Sequence, residues 1–271
     1  AARGTTFVTT VDGTTYNYIV KDATTISPVD GVYTFSNLAV YEGTLVTNKY
    51  TVDTTDADQR YLIKNNLADT NTLLVTVQNS SGDTTTSTYT LATDLADITS
   101  SSKVYYLEGA EDQQYEVKFG DGVLGAALST GNIVTLSYIV TNAEESNGAS
   151  SFSLSGNIGG FSNVTITTAT NSANGAQPET PDSIRFNAPK QYAAQNRTVT
   201  PNDYASKVKQ IYTNAKSVSV WGGEDNDTPV YGRVYISINP VAGATLSEAT
   251  KTDIISQLKD FIVARITPII Q

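Results

Sequence analysis

Trp221-Gly222-Gly223-Glu224-Asp225-Asn226-Asp227 places three carboxylates directly after the only tryptophan of the chain. Carboxylate oxygens at that density suit a hard cation, and an indole beside them suits a sugar ring. The same heptapeptide also reads as ordinary structure, with Gly222 and Gly223 loosening the end of a strand and the acids keeping a loop solvated. Asp53-Thr54-Thr55-Asp56-Ala57-Asp58 has the look of a calcium loop but lacks the glycine and the distal glutamate of that motif, so a solvated turn is the preferred reading. Gly120-Asp121-Gly122 with Gly125 could cradle a phosphate, yet no helix follows and no Lys-Ser or Lys-Thr completes the motif. A hairpin is expected there instead. A carboxylate-pair glycosidase needs two acids at a suitable separation, and nothing in the sequence singles out a pair.

The 271 residues include neither histidine nor cysteine. That removes the usual triads, thiol nucleophiles and zinc centres, and leaves catalysis only carboxylates, Lys, Ser or Tyr. The expectation is a protein that is not an enzyme and holds no cofactor and no metal. Without cysteine there is no disulfide framework, which fits assembly in a reducing cytoplasm. A formal net charge of −10 argues against nucleic acid and against anionic membrane surfaces as partners. No apolar run approaches the roughly 20 residues that span a bilayer, and no signal peptide is read at the start, so a soluble protein is expected. A first residue other than Met and an apolar end at Thr267-Pro268-Ile269-Ile270-Gln271 read as a fragment cut at both ends.

Arginine is scarce, which draws attention to Arg185, Arg197, Arg233 and Arg265. Guanidinium groups pair bidentately with carboxylates, so on an acidic chain they can clamp one domain or subunit to another, although intradomain salt bridges are the simpler reading. Arg197, Arg185 and Arg233 are therefore the interface candidates, together with Trp221, Phe261 and Ile262. Pro181, Pro189 and Pro201 restrict the segment from Asp182 to Asp203, which is expected to act as a semi-rigid strut anchored through Arg197.

These residues need elements to hold them. Residues 1–98 form a Thr- and Tyr-rich β domain with turns at Asp12-Gly13, Asp30-Gly31, Glu42-Gly43 and Gly82-Asp83. Its strand candidates are Tyr16 to Val20, Tyr33 to Phe35, Leu45 to Val52, Tyr61 to Ile63, Leu73 to Val77 and Thr86 to Thr90. Residues 99–184 form a second β domain. There Tyr115, Val117 and Phe119 alternate with Glu116 and Lys118, as in a half-buried strand, and Ile133 to Val140 is apolar on both faces, as in a strand covered on both sides. The Ser-, Asn- and Gly-rich connection after it offers only Val164 to Thr168 as a strand, and is expected to drape over a neighbour or order against a partner.

Residues 185–271 read as an α/β domain, incomplete at its end. Thr200, Pro201 and Asp203 start a helix with Tyr204, Val208, Ile211 and Tyr212 on one face. Ser217 to Trp221 and Tyr231 to Asn239 are strands. Ser247 caps a second helix striped with Ile254, Ile255, Leu258, Phe261, Ile262 and Ile266. The fold class is thus mainly β, an antiparallel sandwich-like region, followed by a split βαβ, ferredoxin-like unit whose last strand lies beyond Gln271. An apolar stripe beside an unfinished sheet predicts a symmetric dimer.

FGDGVLG at residues 119–125, then Gly131-Asn132, Ser137-Tyr138, Asn147-Gly148 and Phe152, resemble the baseplate-J-like family of contractile phage tails. PDSIRFNAPKQYAAQNRTVTPNDY at 181–204 and SVSVWGGEDNDTPVYGRVYISINP at 217–240 extend the resemblance, which is thin before residue 105. It implies a structural component of a virion's tail baseplate, assembled in the host cytoplasm. It further implies self-association as a homodimer, contacts with other baseplate wedge proteins, and rearrangement when the sheath contracts, with no small-molecule substrate. The alternative is a carbohydrate-binding or glycan-hydrolysing tail module.

Overall fold

Val117 is fully buried and Lys118 exposed in the strand Tyr115–Phe119, so the alternation read in the sequence becomes an inner and an outer face. The computed structural model describes residues 1–93, 95, 97–195, 197–212, 214–241, 245–262 and 267–270. It divides into two units, Ala1–Ala173 and Asn174–Gln271.

The first unit holds two sheets. Strands β1 (Thr6–Val11), β2 (Thr14–Val20) and β3 (Val40–Glu42) share a sheet with β11 (Ser153–Ser155), in the order β11-β1-β2-β3. The other sheet runs β4 (Thr44–Thr51), β10 (Ile133–Val140), β6 (Ala68–Gln78), β7 (Thr86–Leu91), β8 (Val104–Gly109), β9 (Tyr115–Phe119) and β5 (Tyr61–Ile63). Neighbours are antiparallel except the parallel pair β7 and β8. Val52, Ile63, Val75, Tyr89, Tyr105, Val117, Val134 and Tyr138 all meet in one core, so the seven strands curl around it. The Tyr50 hydroxyl on β4 donates to the Leu62 carbonyl on β5 at 2.6 Å, tying the two edge strands together.

β10 is buried on both faces, Leu136 and Tyr138 on one and Ile139 on the other, as its apolar run predicts. The connection after it drapes over the four-stranded sheet. Ala149, Phe152, Leu154, Ile158 and Ile166 pack on the core of Phe7, Tyr16, Tyr18 and Val20, and the Tyr18 hydroxyl reaches Ser146 Oγ at 2.8 Å and Ser172 Oγ at 2.6 Å. Two strand expectations fail. Tyr33 to Phe35 and Val164 to Thr168 have strand-forming side chains but no neighbouring strand to bond, and both lie in irregular loops.

The second unit begins with α1 (Pro181–Ala194), a helix the sequence reading missed, capped by the Thr180 hydroxyl. α2 (Pro201–Ile211) starts as predicted, with Thr200 Oγ1 accepting from the Asp203 amide and Asp203 Oδ2 accepting from the Thr200 amide at 2.8 Å. β12 (Ala215–Gly222) and β13 (Arg233–Pro240) are antiparallel, and α3 (Glu248–Leu258), capped by Ser247, leads to β14 (Thr267–Ile270). β14 lies within the chain rather than beyond Gln271. It pairs parallel and directly beside β13, so β13, α3 and β14 form a βαβ unit with no strand between.

The stripe on α3 serves this unit's own core. Ile254 and Leu258 are buried against Tyr204, Val208, Val234, Ile236 and Ile270, with Ile255 and Ile262 packed around them. Ile266 lies outside the described residues. Among the described residues no helix is long and apolar enough to cross a membrane.

Candidate functional site

The glycine-rich loop after β9 is not a hairpin. β9 pairs with β8 and β5 while β10 pairs with β4 and β6, so residues 120–132 carry the chain between strands that are not neighbours. Its tip is built tightly. The Gly122 amide donates to the Gly125 carbonyl at 3.0 Å, and Asp121 Oδ1 accepts the Val123 and Leu124 amides at 2.9 and 3.0 Å. Those two bonds hold the Asp121 carboxyl below its usual range. A Cβ on Gly120 would stand 2.3 Å from the Gly125 carbonyl carbon and oxygen, which is why glycine is needed there. The carboxylate is consumed by the loop's own backbone, and Val123 and Leu124 are left exposed.

The acidic loop after β12 is equally structural. Trp221 Nε1 donates to Asn226 Oδ1 at 2.9 Å, and the indole stacks on Tyr235 at 5.8 Å between centroids. Gly223 does not loosen the strand end as expected. It is buried, its carbonyl accepts the Val230 amide at 2.8 Å, and an added Cβ would lie 1.9 Å from the Val230 oxygen. Glu224, Asp225 and Asp227 are exposed, with the Glu224 carboxylate lying over Gly222, where an added Cβ would meet it at 2.3 Å. Asp53 Oδ1 likewise accepts the Thr55 amide and hydroxyl at 3.0 and 2.7 Å, so it closes a turn. Among the described residues no group of three acidic side chains is placed to hold a metal ion.

The interface candidates separate into two kinds. Phe261 and Ile262 are half-buried and knitted to their own unit, since the Phe261 carbonyl accepts both the amide and the hydroxyl of Thr198 at 2.9 Å. Lys207 Nζ sits 3.4 Å from the centre of the Phe261 ring. Arg185, Arg197 and Arg233 are exposed. Arg185 pairs with Asp182 at 3.0 Å in the first turn of α1, and Arg197 donates to Gln195 Oε1 at 2.9 Å. Arg233 opens β13, and Arg265 lies outside the described residues. A cleft of about 200 Å³ between α1 and α2 brings Arg197 together with Lys207, Asp203, Gln191, Ser206 and Gln210.

The residue that sequence reasoning missed is Arg3. Its guanidinium donates to the carbonyls of Lys21, Thr72 and Ser137, joining the two sheets of the first unit. Burial lowers its pKa, against an opposing pull from Asp22. No local signal marks it, because two of its three partners are remote in sequence.

Residues 200–271 match the family model described as baseplate structural protein gp6, C-terminal domain I. A curated relative, baseplate wedge protein gp6 of Enterobacteria phage T4, is 27% identical over 194 residues, covering 62% of this chain. The chain spans 28% of that relative's length. The cryo-EM structure of the anti-feeding prophage baseplate matches over 84% of this chain and 57% of the neighbour's, at 14% identity and a TM-score of 0.29, a likeness too low to build on. The resemblance to contractile-tail baseplate wedge proteins read from the sequence thus stands on a family model and on a relative.

Proposed function

We propose that this chain is a structural part of a contractile-tail baseplate wedge, and that it works by packing against copies of itself and against other wedge proteins. The observation that carries this reading is the match of residues 200–271 to a baseplate structural domain. Those residues supply α2, the three-stranded sheet and α3, a unit with a closed core of its own. The chemistry points the same way. With no histidine or cysteine, and with Asp53 and Asp121 spent on turn amides, the chain offers recognition surfaces rather than reactive groups. Its place is the virion's tail baseplate, and assembly in the host cytoplasm accords with the missing cysteine. Rearrangement on sheath contraction would proceed by rigid movement at subunit contacts, since each unit has a dense core that resists continuous deformation.

The test is compositional. Tails purified from the phage or phage-like particle encoding this chain, then stripped of sheath and tube, should retain the protein in the baseplate fraction by mass spectrometry. Its absence from that fraction would overturn the reading. Oligosaccharide binding or hydrolysis abolished by Glu224→Gln or Asp225→Asn would replace it with a carbohydrate-active module.

A further inference from the structure

Residues 173–197 carry the chain from the core of the first unit to that of the second, and they are pinned at both ends. Ser172 exchanges backbone bonds with Gly148 and Ala149 at 2.7 and 2.8 Å, and its hydroxyl accepts from Tyr18. Thr198, 2% exposed, spends both its amide and its hydroxyl on the Phe261 carbonyl. Between those anchors α1 is the only helix or strand among the described residues.

That helix has little to hold it. Of its 14 residues none is buried, and only Ser183, Asn187 and Ala194 are even half-buried. Ile184, Phe186 and Tyr192, the side chains a well-supported helix would bury, are 48%, 65% and 87% exposed. Toward α2 it leaves the cleft of about 200 Å³ rather than interdigitated side chains. A helix this short is marginal in water without a packed face. Pro189 weakens it further, because it has no amide for the Arg185 carbonyl and its ring crowds that turn. The C-cap is Gln195 at φ 48°, a left-handed position that glycine fills more easily. The remaining side-chain bonds are local, Glu179 accepting from Ser183 and Asn187, and Asp182 pairing in the open with Arg185, a contact of small value.

We propose that α1 is a length reserve, a helix that unwinds into extended chain and reforms, so that the connection between the two units lengthens while neither core opens. As a helix its 14 residues span about 21 Å, and extended they reach up to about 46 Å, a gain of about 25 Å. Unwinding uncovers no buried side chain, since α1 buries none, and it leaves the anchors at Ser172 and Thr198 intact. The segment from Asp182 to Asp203 is then an extensible connection where its prolines suggested a semi-rigid strut. The proposal rests on the baseplate reading only for its use, a change of reach when the assembly rearranges.

The chain contains no cysteine, so Asp182→Cys with Ala193→Cys gives a unique pair of exposed sites for spin labels on the whole protein. Their Cα atoms are about 17 Å apart in a helix and up to about 36 Å apart in extended chain. Pulsed electron paramagnetic resonance should resolve a short and a long population in one sample, and Pro189→Ala in the same background should move weight into the short one by about a hundredfold in their ratio, the effect of removing an interior proline. Hydrogen exchange on the unlabelled chain gives a second reading: amides of residues 184–194 should exchange at least about a hundredfold faster than those of residues 204–208 in α2, and slow in Pro189→Ala while α2 is unchanged. A single short distance with α1 protected like α2 overturns the proposal and restores the strut. A single long distance that Pro189→Ala does not shorten overturns it too, since no helix then forms. Neither result bears on the presence of the protein in the baseplate fraction, which the analysis of purified tails decides separately.

Discussion

Arg3 Nη2 donates to the carbonyl oxygen of Ser137 at 2.9 Å and to that of Thr72 at 2.8 Å, beside the bulge that interrupts the pairing of β10 with β6 between Ser137 and Ile139. A bulge leaves ladder groups without their regular partners. Here the Ile139 amide is taken by Thr72 Oγ1 at 2.9 Å, and Arg3 supplies donors for the two carbonyls. An N-terminal residue thus repairs an irregularity in the middle of the chain and fastens one sheet to the other.

Arg3→Ala should therefore destabilise the first unit by about 2 to 3 kcal/mol, because it leaves acceptors without the charged donor that served them. Arg3→Lys should recover only part of that, since an ammonium cannot reach three divergent carbonyls as a planar fork does. Urea unfolding followed by far-UV circular dichroism checks both, while the Trp221 fluorescence transition, which reports the second unit, stays in place. Equal midpoints for wild type and Arg3→Ala would show that water serves those carbonyls as well as the guanidinium does.

The contrast between Arg3 and Thr200 shows what the sequence could and could not reveal. The cap on α2 was legible because every group in it lies within four residues, as were the strands whose apolar side chains alternate. Arg3 was illegible because Thr72 and Ser137 reach it only through the fold. α1 was missed for a different reason: with Pro189 inside it and no buried face, it shows no apolar periodicity to read. The loop after β9 was misread as a hairpin because Gly-Asp-Gly turn chemistry is local, while the choice of strand partner is not.

Gly120→Ala and Gly223→Ala should each cost about 2 kcal/mol or more, since the new methyl meets backbone that has no room to retreat. Its first neighbours are the Gly125 carbonyl at 2.3 Å and the Val230 oxygen at 1.9 Å. Gly109→Ala is the control, with nothing within 4 Å of its Cβ position and no left-handed φ. Thermal midpoints measured side by side check the pattern, and a control as damaging as the other two would remove the steric explanation.

Acid should act on the turn between β6 and β7. Asp83 accepts Asn79 Nδ2 at 2.7 Å and the Thr85 amide at 3.0 Å, and these bonds lower its pKa to about 2, with the Asn79 contact foremost. A carboxyl whose folded pKa is depressed stabilises the fold fully above its unfolded pKa, and that contribution is lost as pH falls through the folded value. The window here runs from about 4 down to about 2. Amide exchange at Thr85 should quicken across that window in the wild type and show little pH dependence of this origin in Asp83→Asn. A carboxyl resonance titrating near pH 4 would contradict the assignment.

Thr200→Ala should weaken the second unit by about 1 kcal/mol, the usual value of an N-cap hydroxyl. Thr200 Oγ1 takes the Asp203 amide, Asp203 Oδ2 takes the amides of Thr200 and Val199, and one turn later Tyr204 and Val208 are buried against Ile236 and Leu258. Fraying the first turn therefore loosens the first anchor of α2 on the sheet, and the loss is transmitted to the whole core. Thr200→Ser keeps an acceptor in place and should cost only a few tenths of a kcal/mol, whereas Asp203→Ala removes the reciprocal bonds and should resemble Thr200→Ala. Trp221 fluorescence during urea unfolding reads all three variants, and a Thr200→Ala midpoint equal to that of the wild type would mean that burial of Tyr204 and Val208 holds α2 in place without the cap.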